Sequence, residues 1–287
     1  MSEQKIEANG ITLCHETFGD PADPPLLLVM GLAAPMIWWD DEFCVALAAA
    51  GFRVVRFDNR DVGRSSWLSG RVSLPRAYLL RSTPYSIGDL ADDATALLDG
   101  LGIDTAHVAG ASMGGMIAQE LAIRRPDRVR SLTSIMSSTG SRFVGLPSFR
   151  AAVAMLAPGP RTREEYLTRQ LDTFRLIGSP GYPFDLERLR ERAERTYDRG
   201  VNPAGVLRQL GAVLSAPDRT PGLRRLSLPA LVIHGSRDPL VGVSGGRATA
   251  RALRGDLDVV PGMGHDLPRE VWPRVIAGIS RIAGVTR

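Results

Sequence analysis

The chain has 287 residues, 44% hydrophobic and 23% charged, with a net charge of +4 at pH 7. That length and balance suit one large buried core and exclude a disordered, collagenous or disulfide-stapled chain. Lys5 is the only lysine; the other basic residues are arginines interleaved with acids, as in Glu187-Arg188-Leu189-Arg190-Glu191-Arg192, a solvated helix face and not a nucleic-acid stripe.

Cys14 and Cys44 lie too far apart in sequence to suggest a disulfide framework or a metal site. Met1-Ser2-Glu3-Gln4-Lys5 has no signal-peptide pattern. The most apolar stretch, Leu26 to Trp39, is interrupted by Gly31 and Pro35 and falls short of the ~20 residues that span a bilayer. The expectation is a soluble, cytoplasmic protein with no nucleic-acid partner and no stable membrane insertion. Nothing in the composition sets an oligomeric state.

In chain order, Lys5 to Glu7 and Ile11 to Phe18 read as strands joined by the hairpin dipeptide Asn9-Gly10. Leu26 to Met30 is an apolar run typical of a strand covered on both faces. A helix is expected from Trp38 to Ala50, stopped by Gly51, then a strand from Arg53 to Phe57. The loop Asp58 to Ser65 carries Arg60 and Asp61, better suited to holding the loop together than to binding a charged substrate group. Residues 67 to 85 read as irregular, a possible flap. Ser86-Ile87-Gly88-Asp89 resembles a capping box, and Leu90, Ala94, Leu97, Leu98 and Leu101 follow at helical spacing. A strand at Ala106 to Ala109, a helix from Met113 to Arg125 and a strand at Val129 to Ile135 continue the alternation. The repeat predicts an α/β fold, a mainly parallel eight-stranded sheet with helices on both faces.

The alternation then breaks. Residues 140–222 show no clear strand, with helical stretches at 148–156, 162–176, 185–198 and 203–214. They read as a helical cap insert in a core formed by 1–139 and 223–287. Met155, Leu156, Phe174, Leu176, Ile177, Tyr182 and Phe184 are the insert's candidate pocket residues. The sheet resumes at Ala230 to His234, followed by a helix at 244–253, a strand at Leu257 to Val260 and a closing helix from Val271 to Ile282.

The chemistry centres on Gly110-Ala111-Ser112-Met113-Gly114, between a strand and a helix. That context gives the G-x-S-x-G pattern its meaning: a turn too tight for side chains at the glycines, with one strained serine lifted clear of the sheet. A serine hydroxyl needs a base, and the base needs an orienting acid. Of the four histidines, His15, His107 and His234 fall within or at the end of strands. His265 alone sits in a glycine-rich turn, Pro261-Gly262-Met263-Gly264-His265, after a late strand. Asp238, in Gly235-Ser236-Arg237-Asp238-Pro239, occupies the loop after an earlier strand, as the order serine, acid, histidine requires. Asp256, Asp258 and Asp266 are less well placed. The backbone amides of Met113 and Leu32 are the candidate oxyanion donors.

On these stretches, with Leu27-Leu28-Val29-Met30-Gly31 and Asp58-Asn59-Arg60-Asp61-Val62-Gly63, the whole chain resembles the α/β-hydrolase superfamily. It is similar to the esterase/lipase group that includes aclacinomycin methylesterase and actinobacterial carboxylesterases. The resemblance implies Ser112 as nucleophile, Asp238 as acid, His265 as base, Leu32 and Met113 as oxyanion donors, and no metal or organic cofactor. Many members carry His-Gly in the oxyanion loop where this chain has Met30-Gly31, a more apolar loop with the backbone donor intact. The implied activity is two-step hydrolysis of a small to medium, largely apolar carboxylic ester: a natural-product methyl ester, or an acyl ester or lipid. The same residues also serve lactone and carbon–carbon bond hydrolases, thioesterases and cofactor-free perhydrolases. Outside enzymes, a ligand-binding sensor could keep the fold. Weak membrane association through the insert and its arginines has no motif behind it.

Overall fold

The computed structural model describes residues 3–155 and 159–285. Eight strands run in chain order as β1 (Gln4–Ala8), β2 (Ile11–Phe18), β3 (Pro25–Val29), β4 (Arg53–Phe57), β5 (Ala106–Ala111), β6 (Val129–Ile135), β7 (Ala230–Gly235) and β8 (Asp256–Val260). They form one sheet in the order β1-β2-β4-β3-β5-β6-β7-β8, antiparallel at β1–β2 and β2–β4 and parallel elsewhere. The β1–β2 hairpin turns on Asn9 and Gly10, both at positive φ (51° and 74°), the backbone that a two-residue hairpin loop demands.

The helices are α1 (Asp41–Ala49), α2 (Leu74–Leu80), α3 (Ile87–Gly100), α4 (Met113–Arg124), α5 (Phe149–Met155), α6 (Arg163–Ile177), α7 (Leu186–Arg199), α8 (Pro203–Ser215), α9 (Thr220–Leu223), α10 (Val243–Leu253) and α11 (Trp272–Ala283). Strand residues alternate between two cores. Leu27, Val29, Val55, Val108 and Val232 pack with residues of α3, α4 and α10. Leu26, Leu28, Val54, Leu231 and Ile233 pack with α1 and α11 on the other face. Both faces are buried, so the parallel strands read as continuous apolar runs. After β3 the chain moves to β4 on one side, then crosses to β5 on the other. The strand order reverses there, opening a crevice at the carboxyl ends of β3 and β5. Gly31 and Ser112 meet in it.

Three local expectations change. The helix expected from Trp38 is a single turn at Met36–Trp38, an extended Trp39, and then α1. The Asp40 carboxylate accepts the Glu42 amide and caps α1, so the helix begins at the acids and not at the tryptophans. Residues 67–85 are not wholly irregular: α2 has a proline in its first turn and ends at a left-handed Arg81. The short α9 was not expected; it packs on α4 and α10. The Ser86–Asp89 capping box is present in both directions (3.2 and 2.7 Å).

Between β6 and β7 the described residues contain helices and no strand. Buried ion pairs tie this insert to the sheet's loops. Arg208 of α8 meets both oxygens of Asp61 (2.8 and 2.7 Å), and Asp61 also accepts the Tyr85 hydroxyl and the Leu68 amide. Arg60 pairs with Asp93 of α3. Arg60 and Asp61 therefore brace the loop, and Asp61 extends that brace to the insert. Arg199 of α7 pairs with Asp58 at 2.6 Å and with Glu3. Burial opposes the charge on Arg199, but the two carboxylates outweigh it and hold its pKa above the ordinary value. Asp58 is fully buried and also accepts the Met36 and Arg64 amides. Removing one partner of such a pair strands the other charge. Arg199→Ala is expected to cost about 3–5 kcal/mol in urea unfolding, and at least ~1 kcal/mol less in an Asp58→Asn background.

Candidate active site

Ser112 joins β5 to α4 at φ 55°, ψ −121°, backbone that a non-glycine residue holds only when its surroundings impose it. The surroundings are backbone. A Cβ on Gly110 would sit 2.1 Å from the Gly114 carbonyl oxygen, and one on Gly114 would sit 2.0 Å from that of Val29. The Ser112 amide donates to the Ile135 carbonyl of β6 (2.9 Å), and the Ser112 carbonyl accepts from Gly115 (3.0 Å). The amide of Met113, first residue of α4, has no intrahelical acceptor and stands at the helix's positive end.

His265 Nε2 lies 2.9 Å from Ser112 Oγ, and His265 Nδ1 lies 2.8 Å from Asp238 Oδ2. His265 and Asp238 are each 8% exposed. Asp238 Oδ1 accepts the amides of Leu240 (2.9 Å) and Val241 (2.8 Å), which leaves Oδ2 for the imidazole. This arrangement favours the tautomer in which Nδ1–H donates to Asp238 and Nε2 accepts the serine proton. The loops carrying the pair are joined: Ser236 donates to the Val260 carbonyl (3.0 Å), and Arg237 to that of Met263 (2.9 Å). The insert holds the histidine's turn from the other side. The His265 amide donates to the Ile177 carbonyl (2.7 Å), and the Gly264 amide to Ser179 Oγ (2.8 Å).

The alpha/beta hydrolase fold model matches residues 24–268. The chain belongs to the alpha/beta hydrolase family. It is 33% identical to the rhodomycin D methylesterase of Streptomyces peucetius over 97% of each chain. It is 28% identical to 3-oxoadipate enol-lactonase 2 of Acinetobacter baylyi, over 84% of this chain and 82% of that one. The enol-lactonase of Burkholderia xenovorans shares the fold at a TM-score of 0.74, covering 98% of this chain and 100% of that one at 23% identity.

In this hydrolase the turn after β3 approaches the serine closely. A Cβ on Gly31 would lie 3.1 Å from Ser112 Cβ, so the Leu32 amide follows directly on the residue facing Ser112. The turn is held by a residue that sequence reasoning missed. Gln209 of α8, fully buried, accepts the Ala33 amide through Oε1 (2.8 Å) and donates through Nε2 to the Arg60 carbonyl (2.8 Å). His234 was also missed as a support. Its Nε2–H donates to the Val241 carbonyl (2.7 Å), 3.5 Å from Asp238 Oδ2, and burial lowers its pKa and keeps it neutral. No local signal marks either residue, since each acts across a long sequence separation or from inside a strand.

The other acids are engaged elsewhere: Asp256 with Arg281, Asp258 with Arg274, and Asp266 with Ser179. Among the insert's candidate pocket residues, Phe174 stacks on Trp38 (4.8 Å between centroids), Ile177 is buried beside the His265 turn, and Tyr182 and Leu176 are half-buried. Met155 and Phe184 are instead exposed (37% and 45%). Leu156 lies outside the described residues. Among the described residues no group of three or more His, Cys, Asp or Glu side chains could hold a metal ion.

His107 serves the fold and not the chemistry. Its Nδ1 bonds Ser131 Oγ (2.8 Å), and burial, with Arg130 nearby, lowers its pKa to about 4. Below the free-histidine range the unfolded chain binds a proton that the folded chain refuses, so stability falls as pH drops from 6.5 to about 4. His107 alone accounts for about 3 kcal/mol over that window. Urea unfolding of His107→Gln at a series of pH values should show a shallower acid loss than the native chain; equal slopes would contradict the assignment.

Proposed function

We propose that this hydrolase is a serine-dependent carboxylic ester hydrolase working through an acyl-enzyme. The observation that carries the reading is the continuous relay from Ser112 Oγ through His265 to Asp238, at 2.9 and 2.8 Å. His265 takes the proton of Ser112 as Oγ attacks the ester carbonyl. The carbonyl oxygen becomes an oxyanion, stabilised by the Leu32 and Met113 amides. The alcohol leaves with the proton from His265. Water, deprotonated by the same imidazole, then attacks the acyl-serine, and the acid departs as Ser112 regains its proton. Asp238 fixes the tautomer and stabilises the imidazolium. Residues 140–222 act as a cap over the crevice.

The substrate proposed is a small to medium, largely apolar ester, with a methyl ester of a natural product first. The methylesterase relative, alike along nearly the whole chain, supports that choice. A lactone is the second reading. It is an internal ester, the same steps open it, and the enol-lactonase relative favours it.

The test measures hydrolysis of a p-nitrophenyl ester chain-length series, an aromatic methyl ester and an aromatic lactone. Ser112→Ala should lower kcat/KM about 10⁴-fold or more, and Asp238→Asn about 10⁴-fold, with folding intact. Retention of activity within about tenfold in Ser112→Ala would overturn the reading. Faster turnover of the lactone than of any open ester would move the second reading to the front.

A further inference from the structure

One face of the molecule is both apolar and positively charged, and among the described residues nothing covers it. On α2, Tyr78, Leu79 and Leu80 are 43%, 70% and 66% exposed. In the segment after β6 and on α5, Phe143, Leu146, Phe149 and Val153 are 90%, 64%, 84% and 53% exposed. The two stretches touch: Arg142 donates to the Tyr78 carbonyl (2.5 Å), and its guanidinium stands 4.2 Å over the Tyr78 ring. They are anchored to the site's own scaffolding. The Ser148 amide donates to the Pro239 carbonyl beside Asp238 (2.7 Å), and α2 packs on α8, which carries Gln209.

Within these two segments the charge has one sign. No Asp or Glu occurs from 62 to 88 or from 128 to 163. Arg76, Arg81, Arg142 and Arg150 are exposed on these segments and, among the described residues, make no ion pair. The acids packed closest to them are exposed Asp218, bonded to Thr139 at the edge of the face, and Glu164 and Glu165 on α6, which packs on α5; Asp61 is buried against Arg208. Two phenylalanines projecting almost fully into solvent among unpaired guanidinium groups match the chemistry of a lipid headgroup boundary. There the rings enter the acyl region and the arginines meet anionic phosphates. A symmetric contact with a second copy would set the same unpaired cations against each other.

We propose that this face docks the protein reversibly on an anionic phospholipid surface, with Phe143 and Phe149 inserted and Arg76, Arg81, Arg142 and Arg150 on the phosphates. This goes beyond the catalytic reading and is independent of it, because the test reads binding and not turnover.

The full chain is co-sedimented with phosphatidylcholine vesicles with and without about 30% phosphatidylglycerol, at about 0.05 and 0.5 M salt. Binding is expected on the anionic vesicles at low salt, at least about tenfold weaker on neutral vesicles and weakened by salt. Arg76→Gln/Arg81→Gln/Arg150→Gln should lower the partition coefficient about 100-fold, roughly fivefold per charge. Phe143→Ser/Phe149→Ser should lower it about tenfold or more. All five side chains are exposed, and thermal unfolding checks that the variants keep the fold. Absent binding, equal binding on neutral vesicles, or binding that survives both sets of substitutions overturns the proposal. So does a wild-type dimer lost in the phenylalanine pair, which assigns the face to a second copy.

Discussion

The Cα of Gly114 lies so close to the carbonyl of Val29 that a single Cβ would sit 2.0 Å from its oxygen. The geometry of the crevice depends on that approach. It brings the first turn of α4 down onto the end of β3, so that the turn after β3 and the turn after β5 share one space. Between them Ser112 is forced to positive φ. Such backbone costs about 1–3 kcal/mol, offset here by the Ser112–Ile135 hydrogen bond and the burial of both flanking strands. The consequence is positional. The hydroxyl stands above the sheet, the Met113 amide beside it points out of a helix N-terminus, and the residue facing it on β3's turn is a glycine with no side chain in the way.

The remaining parts are held from two directions. The sheet supplies Asp238 and His265 on adjacent turns, joined by backbone hydrogen bonds. The insert reaches down at separate points: Ile177 and Ser179 onto the histidine's turn, Gln209 onto the turn after β3, and Arg199 and Arg208 onto buried carboxylates at the end of β4. These contacts use charges and amides where a plain apolar interface would also bury area. A buried ion pair adds little net stability over an apolar contact but is costly to break. The helices between β6 and β7 are thereby tied to the turns that carry His265 and follow β3, which matters when the same segment holds the turn that sets an imidazole within hydrogen-bonding reach of a serine.

Local chemistry was the part legible in the sequence. Asn9-Gly10, Ser86 with Asp89, and the glycines around Ser112 each encode a turn or cap within a few residues, and each is present. The nucleophile candidate and its two partners were legible for a related reason: the element order restricts which loops reach the crevice, and only one histidine stood in such a loop. Failures arose where the signal was spread out or ambiguous. The start of α1 was written in Asp40-Asp41-Glu42, a cap followed by acids, but the tryptophans before it mimicked a helical face. α2 buries little besides Ala77, so it shows no apolar period. Met155 and Phe184 are apolar yet exposed, because composition does not say which side of an insert helix is covered. Gln209 acts over a distance in sequence that no motif spans, and His234 acts from inside a buried strand, where a histidine carries no signal of its role.

The measurement that bears most directly on the account is intact mass with peptide mapping after a fluorophosphonate probe. It is made on the native chain, on Ser112→Ala and on His265→Ala. The probe phosphonylates a serine whose proton an adjacent base can remove, with loss of fluoride. One adduct per chain, mapped to Ser112 in the native protein and absent in both variants, is the predicted result. A folded native chain that takes no adduct, or one labelled at another residue, would contradict the claim that the turn after β5 carries an activated nucleophile.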